Sequence, residues 1–562
     1  MAERKRTSLL WGVERLLPKP ADYRELPTSW PRDILAGITV GIVALPLALA
    51  FAISSGADPE MGLITAIIAG CVAAVFGGSH VQVSGPTGAM VVILAPIAAT
   101  HGMIALPIVA VMGGLIVIVA GFFRLGRTVS FIPWPVIEGF TLGIAVIIFM
   151  QQVPSALGVE PGPSLNALVA AIQSLSGVRP TDALLGLVCV AIVVASMTLL
   201  PKIHPRIPGS IIAIILVTIV VDLAGWNLAR IGELPTSLPM PHAPPLDPDM
   251  LRSLIGPAFA VAALTAIESL LSARVASGMT TAGTYDGDRE LVGQGLAGIA
   301  SGLFGGMPAT GAIARTAVSV RSGARTRVAA IVHALFLTAV VYFATDLVGR
   351  IPMVALAGVL MMTAVGMVDR RTAGDIIGTS RSDAFLFVVT ALITVSFDLI
   401  WAVAIGIAIA AVFSLRAMSL NSVVHREELP GEAEPGDERI ALIEFDGSLF
   451  FGIGDRILTS LDDVDEVDVV ILRLSHLRFM DSSGARVLSE LVKTFGRRRI
   501  TVIVKGIQAR HQRLTDRTGV LSSLQPDDYV IASMPDAVNQ ARQIVREREA
   551  ERAAAAQEGA AV

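Results

Sequence analysis

Runs of about 20 mostly apolar residues recur between Ile34 and Met418, and they constrain this chain more than any other feature. A helix of that length spans the hydrocarbon core of a bilayer. Only 16% of the 562 residues are charged and 53% are hydrophobic, which excludes an ordinary soluble enzyme. From Asn421 onwards the composition is that of a soluble protein. The sequence therefore predicts an all-α polytopic membrane domain followed by a small α/β domain.

Fourteen spans are expected, which places both chain ends on one side of the membrane. Their predicted bounds are 34–54, 61–78, 84–100, 104–123, 133–153, 181–200, 208–226, 254–278, 290–305, 310–321, 326–348, 353–369, 383–399 and 400–418. Loops on the side of the termini collect basic residues such as Arg124, Lys202, Arg274 and Arg325, and the opposite loops hold few. Since Lys and Arg accumulate in cytoplasmic loops, we expect both termini on the cytoplasmic side of the cell membrane.

A block of sequence recurs at an offset of 228 residues. Ala69-Gly70 and Phe76-Gly77-Gly78 reappear as Ala297-Gly298 and Phe304-Gly305-Gly306, and Thr87-Gly88-Ala89 reappears after a shorter loop as Thr310-Gly311-Ala312. The copies are the second and third spans against the ninth and tenth. Because seven spans separate them, the copies enter the membrane in opposite directions. An inverted repeat with interrupted helices in matching positions is typical of a transporter with its site near the midplane.

Gly and Pro interrupt the third and tenth spans and predict two broken helices whose N-termini meet inside the bilayer. Gly85 and Pro86 are expected to begin the first of them, since Pro is tolerated in a first turn. Helix N-termini carry unpaired N–H groups and a partial positive charge, so they attract anions. The alternative is a pair of Gly-rich helix crossings, which leaves the paired Pro and Thr unexplained. The predicted anion site comprises Gly85, Pro86, Thr87, Gly88, Ala89, Thr310, Gly311, Ala312 and Arg315.

Two charged residues fall inside predicted spans near this site. Arg315 lies one turn into the second broken helix, and Glu268 lies in the middle of the eighth span. Charges at membrane depth are costly and usually functional. Arg315 would face the anion, or alternatively reach the cytoplasmic edge with Arg321 and Arg325. Glu268, with Ser272 one turn further on, is a candidate for holding a co-transported proton or sodium ion; the alternative is a structural salt bridge with Arg315.

The chain divides by composition into five parts. They are a cytoplasmic N-terminal segment (1–33), the membrane domain (34–420), an acidic linker (421–438), a soluble domain (439–545) and a tail expected to be disordered or a frayed helix (546–562). In the soluble domain, apolar strands alternate with helices, which indicates a small α/β sheet. Ser482 and Ser483 follow Asp481 at a strand-to-helix turn, where they either belong to a helix cap or form a phosphorylatable switch.

These motifs resemble the SulP anion-transporter family, the bacterial relatives of solute carrier family 26. The resemblance rests on Leu45-Pro46-Leu47-Ala48, Ser84–Ala89, Glu268-Ser269-Leu270-Leu271 and Ala309–Thr316, and the turn Phe479–Gly484 resembles the signature of a STAS domain. It implies a 7+7 inverted repeat divided into a core and a gate, substrate between the third and tenth spans, elevator-like movement of the core, and a homodimer. It also implies that Arg315 is the site arginine and Glu268 the acidic residue of the eighth span.

The function that we expect is secondary transport of a small inorganic or carboxylic anion across the lipid bilayer. Sulfate is the first candidate, with bicarbonate and dicarboxylates next. In sodium–bicarbonate members of the family an Asp and a Thr occupy the positions of Glu268 and Ser272, which favours proton coupling here. The alternatives are a sodium-coupled bicarbonate symporter, a nucleobase–cation symporter of the same architecture, and a sensor that acts through its STAS domain. We expect no enzymatic activity, no cofactor, no metal site and no nucleic-acid partner.

Overall fold

The computed structural model describes residues 16–127, 133–164, 166–203, 208–234, 236–244, 247–280, 282–396, 399–420, 423–450, 467–521, 524 and 529–560. Residue contacts divide the chain into two units, with the boundary between Ala408 and Ile409. The first 15 residues of the predicted N-terminal segment lie outside the described ranges.

The membrane unit is built from helices. In chain order they are α1 (Leu26–Ser54), α2 (Pro59–Phe76), α3 (Gly88–His101), α4 (Ala105–Phe122), α5 (Trp134–Ala156), α6 (Ala167–Ser174), α7 (Pro180–Ile203), α8 (Gly209–Leu223), α9 (Pro248–Ser253), α10 (Ile255–Met279), α11 (Gly287–Leu303), α12 (Ile313–Arg321), α13 (Val328–Phe343), α14 (Thr345–Gly349), α15 (Met353–Met367), α16 (Arg370–Thr379), α17 (Arg381–Ser396) and α18 (Leu399–Leu420). A helix lies at each of the fourteen predicted spans. Seven helical stretches of the described chain are long and apolar enough to cross a membrane, and other apolar helices are shorter.

The helices pack in two groups. In one group α11 packs on α4 and α2, and α13 packs on α1 and α2. In the other, α17 and α15 pack on α5, and α7 packs on α8 and α15. The first group contains the helices expected in the core, and the second contains helices expected in the gate. The interrupted spans α3 and α12 belong to the first group.

The interruptions are two short strands. β1 (Ser84–Gly85) precedes α3, and β2 (Thr310–Gly311) precedes α12. Pro86 therefore lies in extended backbone before α3, whose N-cap is Thr87, and the prediction that Pro86 stands in the first helical turn is wrong. Pairing of β1 with β2 holds the chain extended through Gly85, so the helix begins later.

The first membrane helix begins earlier than predicted. α1 starts at Leu26, because Pro27 is compatible with a first turn and the polar residues that follow are bonded within the protein. The buried Asp33 carboxylate accepts from the backbone N–H of Arg325 at 2.7 Å and of Thr326 at 3.1 Å. Just before this helix, Asp22 forms a salt bridge with Arg289 at 2.7 Å. Polarity alone therefore placed the boundary of the N-terminal segment too late.

The second unit contains a sheet of six strands with helices on both faces. Its strands are β3 (Val423–Glu427), β4 (Ile440–Leu449), β5 (Val469–Arg473), β6 (Leu477–Met480), β7 (Thr501–Lys505) and β8 (Tyr529–Ile531). The order is β3-β4-β5-β7-β8, with β6 paired to β4, and only β3 runs antiparallel to its neighbour. The helices are α19 (Ser482–Arg497), α20 (Ala509–Arg517) and α21 (Met534–Ala560). Residues of α19 and of α21 enter separate apolar clusters with the strands.

Two sequence boundaries of this unit require correction. The predicted linker 421–438 contains the edge strand β3, whose polar residues do not show the pattern of a strand. Glu427 of β3 forms a salt bridge with Arg473 of β5 at 2.7 Å. The tail over 546–562, expected to be disordered or a frayed helix, continues helix α21 as far as Ala560. Arg548 holds that extension by donating to the backbone oxygens of Asp468 and Arg499 at 2.8 and 3.0 Å. An Ala-rich, charged sequence therefore forms a helix where its arginines find acceptors on the sheet.

Candidate functional site

The two interrupted spans meet through their strands. Ser84 pairs with Gly311 and Gly85 with Thr310 in antiparallel register, and the N–H of Ala312 donates to the Val83 oxygen at 2.9 Å. Both strands are buried. Strand pairing satisfies backbone groups that no lipid or helix would satisfy at this depth. The structure thus brings together the two halves of the predicted anion site.

Helices α3 and α12 leave this strand pair with their N-termini at the crossing. Their N-cap residues, Thr87 and Ala312, make no side-chain capping bond. The N–H groups at the start of each helix therefore keep their capacity to bind an anion, and the helix dipoles add partial positive charge. Gly88 and Ala89 form the first turn of α3.

Glu268 of α10 links the two halves. Its Oε2 accepts hydrogen bonds from Thr87 Oγ1 at 2.8 Å and from Thr310 Oγ1 at 2.7 Å, and the two hydroxyl oxygens are 3.2 Å apart. Along the same helix, Ser269 Oγ accepts from the N–H of Gly311 at 3.0 Å. The carboxylate thus sits directly on the hydroxyl groups that the sequence predicts for anion binding.

Arg315 is buried against the strand of the opposite repeat. One terminal nitrogen, Nη2, donates to the backbone oxygen of Pro86, and the other, Nη1, has no hydrogen-bond partner within the described residues. Gly85 makes this approach possible, because a Cβ at that position would lie 2.7 Å from Nη1 and its φ is +154°. Arg315 therefore does not extend to the membrane edge; only 2% of it is exposed.

Ser272 lies one turn beyond Glu268, but its hydroxyl is directed elsewhere. It donates to Thr316 Oγ1 at 3.2 Å, which in turn accepts from the N–H of Val83 at 3.1 Å. Ser272 thus supports the backbone just before β1. Its predicted role beside Glu268 in holding a cation stays a prediction.

Buried polar residues that the sequence reading passed over surround the strand pair. Glu290 and Gln294 of α11 are each 1% exposed, and Gln294 donates to Ser84 Oγ at 2.6 Å. Their i, i+4 spacing inside an apolar span is the signal that would have revealed them. His333, interpreted from the sequence as incidental, is fully buried, and neither ring nitrogen has a partner in the described part of the chain.

The serines of the soluble domain occupy the start of α19. Asp481 caps this helix, since its Oδ1 accepts from the N–H of Gly484 at 2.7 Å, as the capping interpretation predicted. Ser482 and Ser483 are both exposed. Their use as phosphorylation sites stays a prediction.

Opposed broken helices that meet at a buried strand pair, with Glu268 and Arg315 beside it, inside an inverted repeat define a class, the secondary membrane transporters. Comparison with known proteins is more specific. The chain belongs to the sulfate permease family, whose pattern matches residues 31–390, and residues 434–533 match the STAS domain. The chain is accordingly a multi-pass membrane protein and an anion transporter, and the predicted family and fold class are confirmed.

Two relatives match along most of the chain. YvdB of Bacillus subtilis, assigned by its name to sulfate transport, is 35% identical over 88% of this chain and 95% of its own length. The bicarbonate transporter BicA of Picosynechococcus is 29% identical over 89% of this chain and 93% of its own.

Solved structures agree on the architecture. SLC26A9 matches with a TM-score of 0.80 at 17% identity, covering 96% of this chain and 94% of its own. The transmembrane domain of a cyanobacterial BicA matches with a TM-score of 0.60 at 32% identity, covering 67% of this chain and 97% of its own.

Proposed function

We propose that the chain couples the movement of a small inorganic or carboxylic anion to that of a proton. Sulfate is the first candidate, and bicarbonate and dicarboxylates come next. The single observation that carries the proposal is the position of Glu268, which accepts from Thr87 at 2.8 Å and from Thr310 at 2.7 Å. The proposed substrate site lies where the N-termini of α3 and α12 face each other, and Arg315 would supply its net positive charge.

Proton and anion are linked at this point by competition for hydrogen-bond donors. An ionised Glu268 engages both threonine hydroxyl groups and repels an incoming anion. Protonation removes that charge and makes the carboxyl group itself a donor, which releases hydroxyl hydrogens for the anion. Each ligand therefore favours the binding of the other, which is what a symporter requires.

The groups around the strand pair have different proposed roles in binding the anion. Thr87 and Thr310 donate through their hydroxyls, and Gly88, Ala89 and the residues following Ala312 donate through backbone N–H. Gly85 and Gly311 keep the backbone free of side chains at the crossing, and Pro86, which has no N–H, holds Arg315 through its oxygen. The free Nη1 of Arg315 is the strongest donor left for the anion.

Alternating access is proposed to follow an elevator path, with the group of helices that carries β1 and β2 moving as one body. The proposed arrangement is a homodimer in the cell membrane, with the N-terminus and the STAS domain in the cytoplasm. The basic residues of the loops on that side support the orientation. Sodium is the second candidate for the co-transported ion.

The test is uptake of labelled sulfate, bicarbonate, fumarate and uracil into proteoliposomes at several pH values, with and without sodium. We expect anion uptake driven by an inward proton gradient and unaffected by sodium. Uptake driven by sodium alone would replace the proton with sodium in the proposal. Uptake of uracil alone, or of nothing, would overturn it.

A further inference from the structure

The strands β1 and β2 are each held by a helix from the opposite repeat. In the first repeat, α2 precedes β1 along the chain, and in the second, α11 precedes β2. The side chains that hold the strands cross over, however: α11 holds the segment before β1, and Thr65 of α2, together with Ser301 of α11, holds the segment before β2. This exchange concerns residues outside the anion site itself.

The segment before β1 is held by hydrogen bonds to two residues of α11. Glu290 Oε2 accepts from the N–H groups of Gly78 and Ser79 at 2.7 and 3.0 Å. Gln294 Nε2 donates to Glu290 Oε1 at 2.8 Å and to Ser84 Oγ at 2.6 Å. The chain of bonds runs from the end of α2 to the first residue of β1, and every member is buried.

The segment before β2 is held by Thr65 of α2 and by Ser301 of α11. Thr65 Oγ1 accepts from the N–H of Met307 at 2.8 Å and donates to the Met61 oxygen at 2.6 Å. Ser301 Oγ donates to the Met307 oxygen at 2.7 Å. Both polar backbone groups of Met307 are therefore fixed by side chains, three residues ahead of Thr310.

The repeated glycine pairs explain how these polar side chains approach the backbone so closely. A Cβ on Gly77 would lie 3.0 Å from Glu290 Oε2, and a Cβ on Gly78 would lie 1.9 Å from the Asp286 oxygen. A Cβ on Gly306 would lie 2.5 Å from Ser301 Oγ and 2.8 Å from Thr65 Oγ1. The Phe-Gly-Gly motif of each repeat thus clears the space for a polar side chain.

We propose that Gln294 and Thr65 are positioning residues, each of which sets the register of one strand and thereby the geometry of the anion site between them. The inference rests on the proposed anion site, and it concerns residues that touch no anion. The two sets of hydrogen bonds differ in chemistry. The strand next to Pro86 is held through a carboxylate and an amide, and the strand that leads to Arg315 is held through hydroxyl groups.

The decisive variant on the α2 side is Thr65→Val, which keeps the side-chain shape and removes the acceptor for the Met307 N–H. A buried N–H without a partner shifts the backbone to find one. We expect the KM for sulfate to rise on the order of tenfold, with a smaller change in the maximal rate and an unchanged amount of protein in the membrane. Thr65→Ser keeps the hydroxyl and restores the wild-type KM.

The matched control is Thr338→Val in α13, whose hydroxyl donates to the Ala334 oxygen of its own helix at 2.9 Å. It should leave KM unchanged. On the α11 side, Gln294→Leu, Ser84→Ala and the double variant form a cycle. We expect either single change to raise KM and the double variant to add little, because both remove the same bond.

The outcomes are separable. Wild-type protein that binds no anion defeats the proposed function. A wild type that transports, combined with variants whose KM stays at the wild-type value, defeats the positioning role and leaves the proposed function standing. A fully additive cycle for Gln294 and Ser84 defeats it as well. If Thr65→Val fails to accumulate in the membrane, the cycle, which includes the mild Ser84→Ala change, decides alone.

Discussion

Replacing Glu268 by Gln should separate anion binding from proton movement. The change keeps the size of the side chain and removes both its negative charge and its ability to take up a proton. In the wild-type protein, Glu268 Oε2 accepts two hydrogen bonds, from Thr87 and Thr310. A hydrogen bond to a charged acceptor contributes about 1.5–3 kcal/mol and one to a neutral acceptor about 0.5–1.5 kcal/mol.

The loss is therefore about 1 kcal/mol for each bond and about 2 kcal/mol for both. That amount favours release of the two hydroxyl groups to the anion by roughly 30-fold. In the wild-type protein the affinity for the anion should fall as pH rises, by at most about tenfold per pH unit for one linked proton. In Glu268→Gln the affinity should be independent of pH and equal to or above the wild-type value at high pH.

The assay has two parts: equilibrium binding of labelled sulfate to purified protein over a range from mildly acidic to mildly alkaline pH, and uptake into proteoliposomes under an imposed proton gradient. The variant should bind and exchange sulfate but accumulate none against its gradient. Glu138→Gln in α5 is the matched control and should behave as the wild type. A Glu268→Gln protein that keeps its pH dependence or its gradient-driven accumulation would refute the reasoning.

A carboxylate outside the site, Asp22, does not interfere with this measurement. Burial by itself raises the pKa of Asp22, but the hydrogen bond from Arg289 and the nearby charge of Arg327 lower it from 3.8 to about 2. A lowered pKa means that the stabilisation is complete above pH 3.8 and is lost only as the pH falls through about 2. Over the pH range of the assay Asp22 stays ionised and does not contribute to the pH dependence of anion affinity.

Three further outcomes are expected. Gly85→Ala should weaken sulfate binding on the order of tenfold, because the residue has a strained φ and its Cβ would meet Arg315; a binding titration checks this against Gly366→Ala, where a Cβ meets no atom within 4 Å. Deletion of residues 437–562 should lower the transport rate or assembly and leave the order of anion preference unchanged in competition assays; an altered order would contradict it. Arg548→Ala should make the end of α21 sensitive to limited proteolysis, and an unchanged digestion pattern would show that the helix extension does not depend on this residue.

The features that the sequence predicted well are those with a repeating physical cause. Apolar runs mark the helices because each must match the thickness of a bilayer, and the Gly-Pro interruptions mark α3 and α12 because those residues disfavour a continuous helix. The repeat then placed both interruptions at the same depth. Arg315 and Glu268 were found because an ionised side chain is rare within an apolar span.

The partners of these residues were not predictable in the same way. A salt bridge between Glu268 and Arg315 was the simple alternative, yet the carboxylate binds two threonine hydroxyl groups and the guanidinium binds the oxygen of Pro86. Such choices depend on the register between β1 and β2, which pairs residues 225 and 227 positions apart and has no local signal. The ordering of the end of α21 was not predictable for a related reason, since the acceptors of Arg548 lie elsewhere in the chain.

The exchange of supports between the repeats also orders events during synthesis. Gly78 is made 212 residues before Glu290, whose carboxylate it requires. At about 5–20 residues per second the first half-site waits about 10–40 s for that partner. During this interval the N–H groups of Gly78 and Ser79 lack the acceptor that they have in the folded protein. The anion site therefore cannot form before α11 and α12 have been made, and a nascent chain that ends before α11 lacks half of the site.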